Sequence, residues 1–314
     1  MIRKISYFLV AIVALFAVQT PAQAAEDGGE MMPFVRGNDG AISVDATSAT
    51  LAAQLTAVGF EIVGTYAPYT NANILIISNA TLQATASKTE FGGYGAAQRV
   101  SITEHNGSIQ VGYTNPSYMA AAYQMDGDLS GIKSTLKGVL GDQGEYGPPE
   151  GLTVKDLNGY HYMIFMPYFD NPNLLGSAPS HKEMVDRVEA NLKSNSVGVS
   201  KVFRIDIPGK EEVVFGVSLK GNGEDEKEKD DAWVMSEIDF KDVRSTAHLP
   251  IELIVSGKKA WALDSKFRIA INFPDLSMTG DNSFMNIMGS PGKIQEAITI
   301  ISGGNYTGEG KYAN

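Results

Sequence analysis

The spacing of hydrophobic and polar residues predicts the same order of elements in the two halves of the chain. Each half begins with an amphipathic helix, because apolar side chains recur three or four residues apart. These apolar positions are Leu51, Leu55 and Val58 in the first half, and Met184, Val188 and Leu192 in the second. A pair of strands is predicted after each helix, and the four strands cover 60–66, 74–77, 199–207 and 213–219.

A second hairpin is predicted later in each half, with turns at 106–107 and 256–257. A further strand is predicted over 267–273, since residues 269–277 align without gaps with residues 109–117. A helix closes each half, at 129–140 and at 290–301. Strands that alternate in this way are typical of half-buried antiparallel sheets. The pattern therefore predicts an α+β fold with two similar domains, each an antiparallel sheet packed against helices, produced by internal duplication.

Glycine and proline mark the boundary between the two predicted domains. Residues 141–151 contain four glycines and two prolines, which disfavour both a helix and a central strand. The predicted divisions are a signal peptide (1–24), an N-terminal extension (25–44), a first domain (45–140), a linker (141–157), a second, diverged domain (158–302) and a flexible tail (303–314).

The N-terminus has the pattern of a secretory signal peptide. Arg3 and Lys4 precede an apolar run over 8–18, and the small residues Ala22 and Ala24 then mark a cleavage site before Ala25. The apolar run is shorter than the roughly 20 residues that a bilayer-spanning helix requires. We therefore expect a periplasmic or secreted protein with no transmembrane span in its mature chain.

Composition excludes several classes of function. The 36 acidic residues outnumber the 25 lysines and arginines, and the resulting net charge of -11 argues against nucleic acid as a partner. The chain has no cysteine, which excludes disulfides, thiol catalysis and cysteine-ligated metal clusters. The sequence contains no zinc-protease motif, nucleophile elbow or phosphate loop. A non-enzymatic role is therefore favoured, although a hydrolase that uses paired carboxylates remains open, because such sites have no fixed spacing.

One segment resembles a known family. Residues 106–120 contain an Asn-Gly hairpin followed by Gly-Tyr-Thr-Asn-Pro-Ser-Tyr-Met-Ala, which is similar to the strand-end signature of Domain of Unknown Function 302. Residues 248–255 are similar to the Leu-Pro-led strand of that family. The resemblance implies a tandem α+β fold and assigns no catalytic residue. The second copy departs from the family at 273–275, where the turn is missing, and in its acidic stretch at 224–231.

The candidate ligand site combines this turn with an aromatic stretch. Tyr113, Asn115 and Tyr118 lie where a strand is expected to give way to a helix, and Tyr160 and Tyr162 are expected on the opposite wall of a cleft between the domains. The main hypothesis is an exported binding or assembly module for a small molecule or a protein partner. The alternative for the turn is purely structural, because Asn-Pro commonly begins a turn.

The second hypothesis concerns metals. A strand over 160–168 would place His161 and Met163 on one face, where they would suit copper(I) or a haem iron in a metal-handling or redox accessory protein. Otherwise this stretch is a core strand with methionine as filler. The acidic run 224–231 is expected to be a solvated loop, because it lacks the ligand spacing of a calcium loop.

Overall fold

The computed structural model of the chain describes residues 29–195 and 197–306. The signal peptide expected over 1–24, its cleavage site and the last eight residues of the expected tail lie outside the described residues. Residues 303–306 follow the last helix closely, because the amides of Gly303 and Gly304 donate hydrogen bonds to carbonyls of that helix.

The first half of the described chain forms an antiparallel sheet. Its strands are β1 (Phe34–Arg36), β2 (Glu61–Tyr66), β3 (Ala72–Ser78), β4 (Gln98–His105), β5 (Ser108–Thr114) and β6 (Glu145–Tyr146). Their spatial order is β2-β3-β4-β5-β1-β6. The segment expected as an N-terminal extension thus contributes β1, and the segment expected as a linker contributes β6.

The second half forms another antiparallel sheet with the same plan. Its strands are β7 (Asn173–Ser177), β8 (Val199–Asp206), β9 (Glu212–Leu219), β10 (Ile251–Ser256) and β11 (Lys259–Ala262). Read from β8, their spatial order is β8-β9-β10-β11-β7, which repeats the order β2-β3-β4-β5-β1 of the first sheet. The expected pair of similar α+β units is therefore confirmed.

The helices occupy corresponding places in the two units. They are α1 (Val44–Ala57), α2 (Ala80–Ala86), α3 (Pro116–Ala122), α4 (Ser130–Leu140), α5 (Val154–Asn158), α6 (His181–Ser194), α7 (Asp231–Ile238), α8 (Ser265–Ala270) and α9 (Ser290–Ile301). Ser43 and Ser180 cap α1 and α6 by accepting hydrogen bonds from backbone amides of the first turn. Apart from β6 and α5, which have no counterpart in the second unit, each unit runs strand, helix, hairpin, connecting helix, hairpin and two helices.

Each sheet buries both of its faces. On β3, Leu75 and Ile77 point into an outer core with α1 and α4, whereas Ile74 and Ile76 point into a central core. On β9 and β10, the residues alternate in the same way between the central core and a second outer core with α6 and α9. Helices α1 and α4 cover the outer face of the first sheet, and α6 and α9 cover that of the second. The central core lies between the two sheets and also contains residues of α3, α7 and α8. Here the expectation of a cleft was wrong, because the two inner sheet faces pack against each other.

A glycine turn shows how closely the units meet. Residues Gly92–Gly95 form a buried 3-10 turn. The amide of Gly93 donates to Glu212 Oε1 at 3.2 Å, and a Cβ at Gly93 would lie 2.6 Å from the same oxygen. A side chain at this position would therefore force the side chains of Glu212 and Val214 on the second sheet to move.

The expected strand at 267–273 was wrong. Residues 265–270 form α8, which Asp264 caps by accepting from the amide of Lys266 at 2.9 Å. Apolar residues at 267, 269, 271 and 273 fit a strand, but those at 267, 270 and 271 fit a helix equally well. Residues 267–271 are all buried, the charged Arg268 among them, so the exposed polar face that usually marks the period of a helix is missing here. The structural counterpart of β5 is β11, and α8 is the counterpart of α3.

Two further expectations need correction. Residues 160–168 form an irregular loop in place of a strand, so His161 and Met163 do not share a strand face. The acidic run 224–231 is a 3-10 turn that leads into α7 in place of a solvated loop, and its last residue, Asp231, is buried.

Candidate functional site

The residues of the Tyr-Thr-Asn-Pro turn divide between two cores. Tyr113 lies in the outer core of the first unit, where its hydroxyl donates to the carbonyl of Gly141 at 2.9 Å. Tyr118 lies on the other side of the sheet, in the central core. Asn115 precedes α3 and donates from Nδ2 to the carbonyl of Met32 at 2.8 Å. Its Oδ1 is buried and has no partner in the part of the chain that the structure describes. The turn therefore fixes β5, α3 and the segment before β1 relative to each other.

Three of the candidate tyrosines converge on one short segment of the second unit. Each donates its hydroxyl hydrogen to a backbone carbonyl in or just after α8: Tyr118 to Ile271 at 2.6 Å, Tyr160 to Ala270 at 3.1 Å and Tyr162 to Leu276 at 2.7 Å. Burial raises the pKa of all three hydroxyls, so they remain protonated donors at neutral pH. The turn and the aromatic stretch therefore meet at residues 270–276, although Tyr113 does not take part.

A small apolar cavity lies beside this convergence. Its volume is about 20 Å³, which is room for roughly one water-sized group. Its walls are almost entirely apolar, and Lys266 is the one charged side chain in the lining: Tyr162, Met166, Lys266, Ile269, Ala270, Phe273, Leu276, Met278 and Phe284. Methionine side chains are flexible, so this wall is able to adapt to an inserted group.

Next to the cavity, the loop 160–168 exposes an apolar tip. Phe165 is 102% exposed, Ile164 is 75% exposed, and Met163 is also on the surface. Phe165 has a φ of 72°, in the left-handed region where a bulky aromatic residue is a genuine outlier. A strained backbone conformation persists only where the surrounding structure holds the chain in place.

The base of the loop supplies that support. Besides the hydroxyl bonds of Tyr160 and Tyr162, the amide of Met166 donates to the carbonyl of Met163 at 3.0 Å and closes the turn. The rings of His161 and Tyr168 pack with centroids 4.5 Å apart. The tip is thus presented from an anchored base.

The candidate metal ligands differ in their surroundings. His161 Nδ1 is buried and has no hydrogen-bond partner within the described residues, whereas the Met163 side chain is 43% exposed. Elsewhere, Met166 and Met278 line the same cavity, and the amide of Met285 donates to the carbonyl of Met278 at 3.2 Å. In the described part of the chain, no three His, Asp or Glu side chains form a group that suits a metal ion.

The sequence patterns missed a buried charge cluster between the two sheets. Arg99 on β4 pairs with Glu252 on β10, and Glu252 Oε2 also accepts from Arg268 Nε at 3.2 Å. Arg268 contacts His248 Nδ1 at 3.0 Å. All four side chains are almost completely buried. They are far apart in sequence and form no motif. Their polar or charged character inside otherwise apolar segments was the one sequence signal for the cluster.

The electrostatics of this cluster favour a structural role. Burial, together with the nearby arginines, lowers the pKa of His248 well below its usual range, so the imidazole is neutral. Burial and the neighbouring Arg268 lower the pKa of Arg99 to about 9, which leaves it charged at neutral pH. Two guanidinium groups therefore share one carboxylate, and the pairing ties β4 of the first unit to β10 and α8 of the second.

Two further buried acids, Asp231 and Asp239, lie at the ends of α7. Asp231 Oδ2 accepts from Tyr66 Oη at 2.6 Å and from the amide of Leu219 at 2.9 Å. Asp239 Oδ1 accepts from the amide of Ser245 at 2.8 Å. Burial raises the pKa of each carboxyl to about 7. Asp231 thereby links α7 to the edge strand β2 of the first unit.

Between residues 29 and 306, leaving Ser196 aside, none of the helices has the length and apolar character that a bilayer crossing requires. Comparison of the chain with protein-family models, with curated proteins and with solved structures gives no match.

Proposed function

We propose that this protein is an exported, non-enzymatic binding module that holds a protein partner through one apolar surface. This surface, called the docking face below, consists of residues 162–166 with Met278, Phe284 and Met285. The observation that carries the proposal is the anchored, exposed apolar tip at Ile164 and Phe165. Export is inferred from the signal-peptide pattern of residues 1–24.

The exposure of the tip is energetically unfavourable for an isolated chain. A buried aromatic side chain removes roughly 150–250 Å² from water, so a fully exposed Phe165 forgoes one of the largest apolar contributions available. Its left-handed backbone adds of order 1–3 kcal/mol of strain. A partner that covers the tip would recover the burial term, and large aromatic side chains commonly dominate the binding energy of interfaces.

The chemistry of the docking face favours an apolar protein surface as the partner. The tip carries no charged residue, and Lys266 is the only charged residue that lines the cavity. The net charge of -11 disfavours approach to an anionic lipid surface. An apolar patch with a central aromatic residue and a nearby cavity is the usual layout of a protein contact.

Photo-crosslinking in the compartment of the host tests this proposal. We expect that p-benzoylphenylalanine in place of Phe165 gives a discrete protein adduct on illumination. The same probe in place of Ile42, which is 82% exposed on another surface, serves as the matched control and gives none. Lipid adducts alone, or equal labelling at both positions, would reject the proposal.

A second candidate function, soft-metal binding, is favoured by the shared cavity of Met166 and Met278. Thioethers are suitable ligands for copper(I), and Met163 and Met285 lie on neighbouring chain segments. Titration with copper(I) against a colorimetric chelator tests this candidate, with Met166→Leu/Met278→Leu as the variant and Met184→Leu as the control. Equal affinity in all three proteins, or no binding by any of them, would exclude the site. His161→Ala/Met163→Leu tests the other pair of candidate ligands in the same assay.

A further inference from the structure

We infer that the inner faces of the two units, which are the sheet faces directed at the central core, select one another. Each inner face accepts the other unit of the chain and rejects a second copy of its own unit. Equivalent positions of the two units meet at this contact, and the residues at those positions differ in size and in charge.

An irregularity in each sheet shows which positions are equivalent. In the first unit, the pairing of β2 with β3 skips one residue just before Gly64, which lies opposite Ile76. In the second unit, the pairing of β8 with β9 skips one residue just before Phe203, which lies opposite Gly216. Because the strand order of the two sheets is the same, Gly64 corresponds to Phe203, and Ile76 corresponds to Gly216.

The next strand extends this equivalence to the buried charges. Arg99 on β4 lies opposite Ile76, and Glu252 on β10 lies opposite Gly216. Arg99 and Glu252 are therefore equivalent positions, and they form an ion pair with each other. Under a two-fold rotation, a residue meets its own equivalent only close to the axis. An approximate two-fold axis between the units therefore passes beside this ion pair.

The second pair of equivalent positions is complementary in size. Gly64 lies so close to the second unit that a Cβ there would be 2.5 Å from the carbonyl oxygen of Val202 and 3.0 Å from Cβ of Phe203. In a pairing of two second units, Phe203 would have to face another Phe203, and the two strands could not approach this closely. In a pairing of two first units, two glycines would face each other and leave a gap.

The ion pair adds a second basis for selection. Two first units would bury Arg99 against another Arg99 without a carboxylate, and an uncompensated buried charge is strongly destabilising. Two second units would place Glu252 beside another Glu252. Each of these would keep Arg268 as a partner, so the two Phe203 side chains are the stronger obstacle in that case. Only the mixed pairing satisfies both size and charge, and rejection of the alternatives is what makes a contact specific.

Complementation between two variants of the mature chain tests this selectivity. Arg99→Glu gives both inner faces an acidic residue beside the axis, and Glu252→Arg gives both a basic one. Each variant alone should lose at least about a hundredfold in its folding equilibrium constant, because a buried charge loses its partner. Refolded together from urea, the two variants should form a folded two-chain species, since unlike charges then meet at both contacts between units.

Size-exclusion chromatography with light scattering measures the mass of each species, and circular dichroism verifies folding. The combined variant Arg99→Glu/Glu252→Arg should regain the folded single chain, because the two positions are equivalent. Lys201→Glu and Glu189→Lys, which reverse the charges of an exposed ion pair, are the matched control and should give no two-chain species when mixed.

Three results would overturn the inference. The first is that each inner-face variant folds by itself as a stable single chain, since like charges would then be tolerated beside the axis. The second is a mixture without a two-chain species, even where both variants are unfolded alone, because complementary charges would then fail to select a partner. The third is a folded two-chain species from one variant alone.

Discussion

Replacing Asp231 by Asn should change how the stability of this protein depends on pH. The carboxyl is buried at the start of α7, and both of its described hydrogen bonds end on Oδ2, so an Asn amide oxygen at that position keeps both acceptor contacts. Burial raises the pKa of Asp231 from 3.8 to about 7. The folded state therefore binds this proton more tightly than the unfolded state does.

The sign and size of the effect follow from that difference. A raised carboxyl pKa stabilises the folded state below the unfolded value of 3.8, and the contribution is lost as pH rises to about 7. The shift spans about three pKa units, which correspond to about 4 kcal/mol at about 1.4 kcal/mol per unit. Asn does not titrate. The stability of wild type relative to Asp231→Asn should therefore fall by up to about 4 kcal/mol between pH 4 and pH 8.

Urea denaturation at several pH values between 4 and 8, followed by tryptophan fluorescence, measures this difference. His248 acts in the opposite direction, because its lowered pKa makes the folded state more stable as pH rises towards 6.5. Asp239 has the same raised pKa as Asp231. Both contributions cancel when wild type and variant are compared at each pH. Asp225→Asn, in the exposed part of the same acidic run, is the control. A wild-type-to-variant difference that does not change with pH would refute the reasoning.

Three further predictions concern the contacts between the units and the support of the tip. Glu252→Gln should destabilise the protein by about 3–5 kcal/mol, because two arginines lose their buried carboxylate. The control Glu189→Gln, in an exposed ion pair, should change stability by less than about 1 kcal/mol. Equal losses of stability in urea denaturation would contradict this prediction. Tyr118→Phe should lose about 1–3 kcal/mol in the same assay, since a buried carbonyl is left without its donor, and an unchanged midpoint would count against that bond. Tyr160→Phe should speed hydrogen exchange across 161–168 without lowering the thermal midpoint greatly, and unchanged exchange would show that other contacts hold the loop.

Local patterns identified most of the elements because each depends on neighbouring residues. The hairpin turn at 106–107 lies between β4 and β5, as its Asn-Gly pair indicates, and the strands flanking it alternate between two faces. Ser180 caps α6 as its spacing to Glu183 suggests. These features need only a few successive residues, so they are visible before any tertiary contact is known.

For residues 160–168, the local pattern predicted the wrong element. Its alternating apolar residues fit a strand, yet Tyr160 and Tyr162 bond to residues 270–276, more than a hundred positions away. Those carbonyls are available because α8 ends there, and the end of α8 is formed only when the second unit has folded. The turn at Phe165, with its left-handed backbone, lies three residues after the second of these bonds.

The sequence by itself determined the repeated order of helices and hairpins, since periodicity and turn residues act over short distances. Only the tertiary structure decided that the two sheets face each other across one buried core, and that Arg99 meets Glu252 there. It also decided that Ile164 and Phe165 remain outside. The physical reason is that an alternating strand specifies two different faces but not which surface covers each of them, and that choice depends on contacts between residues far apart in the chain.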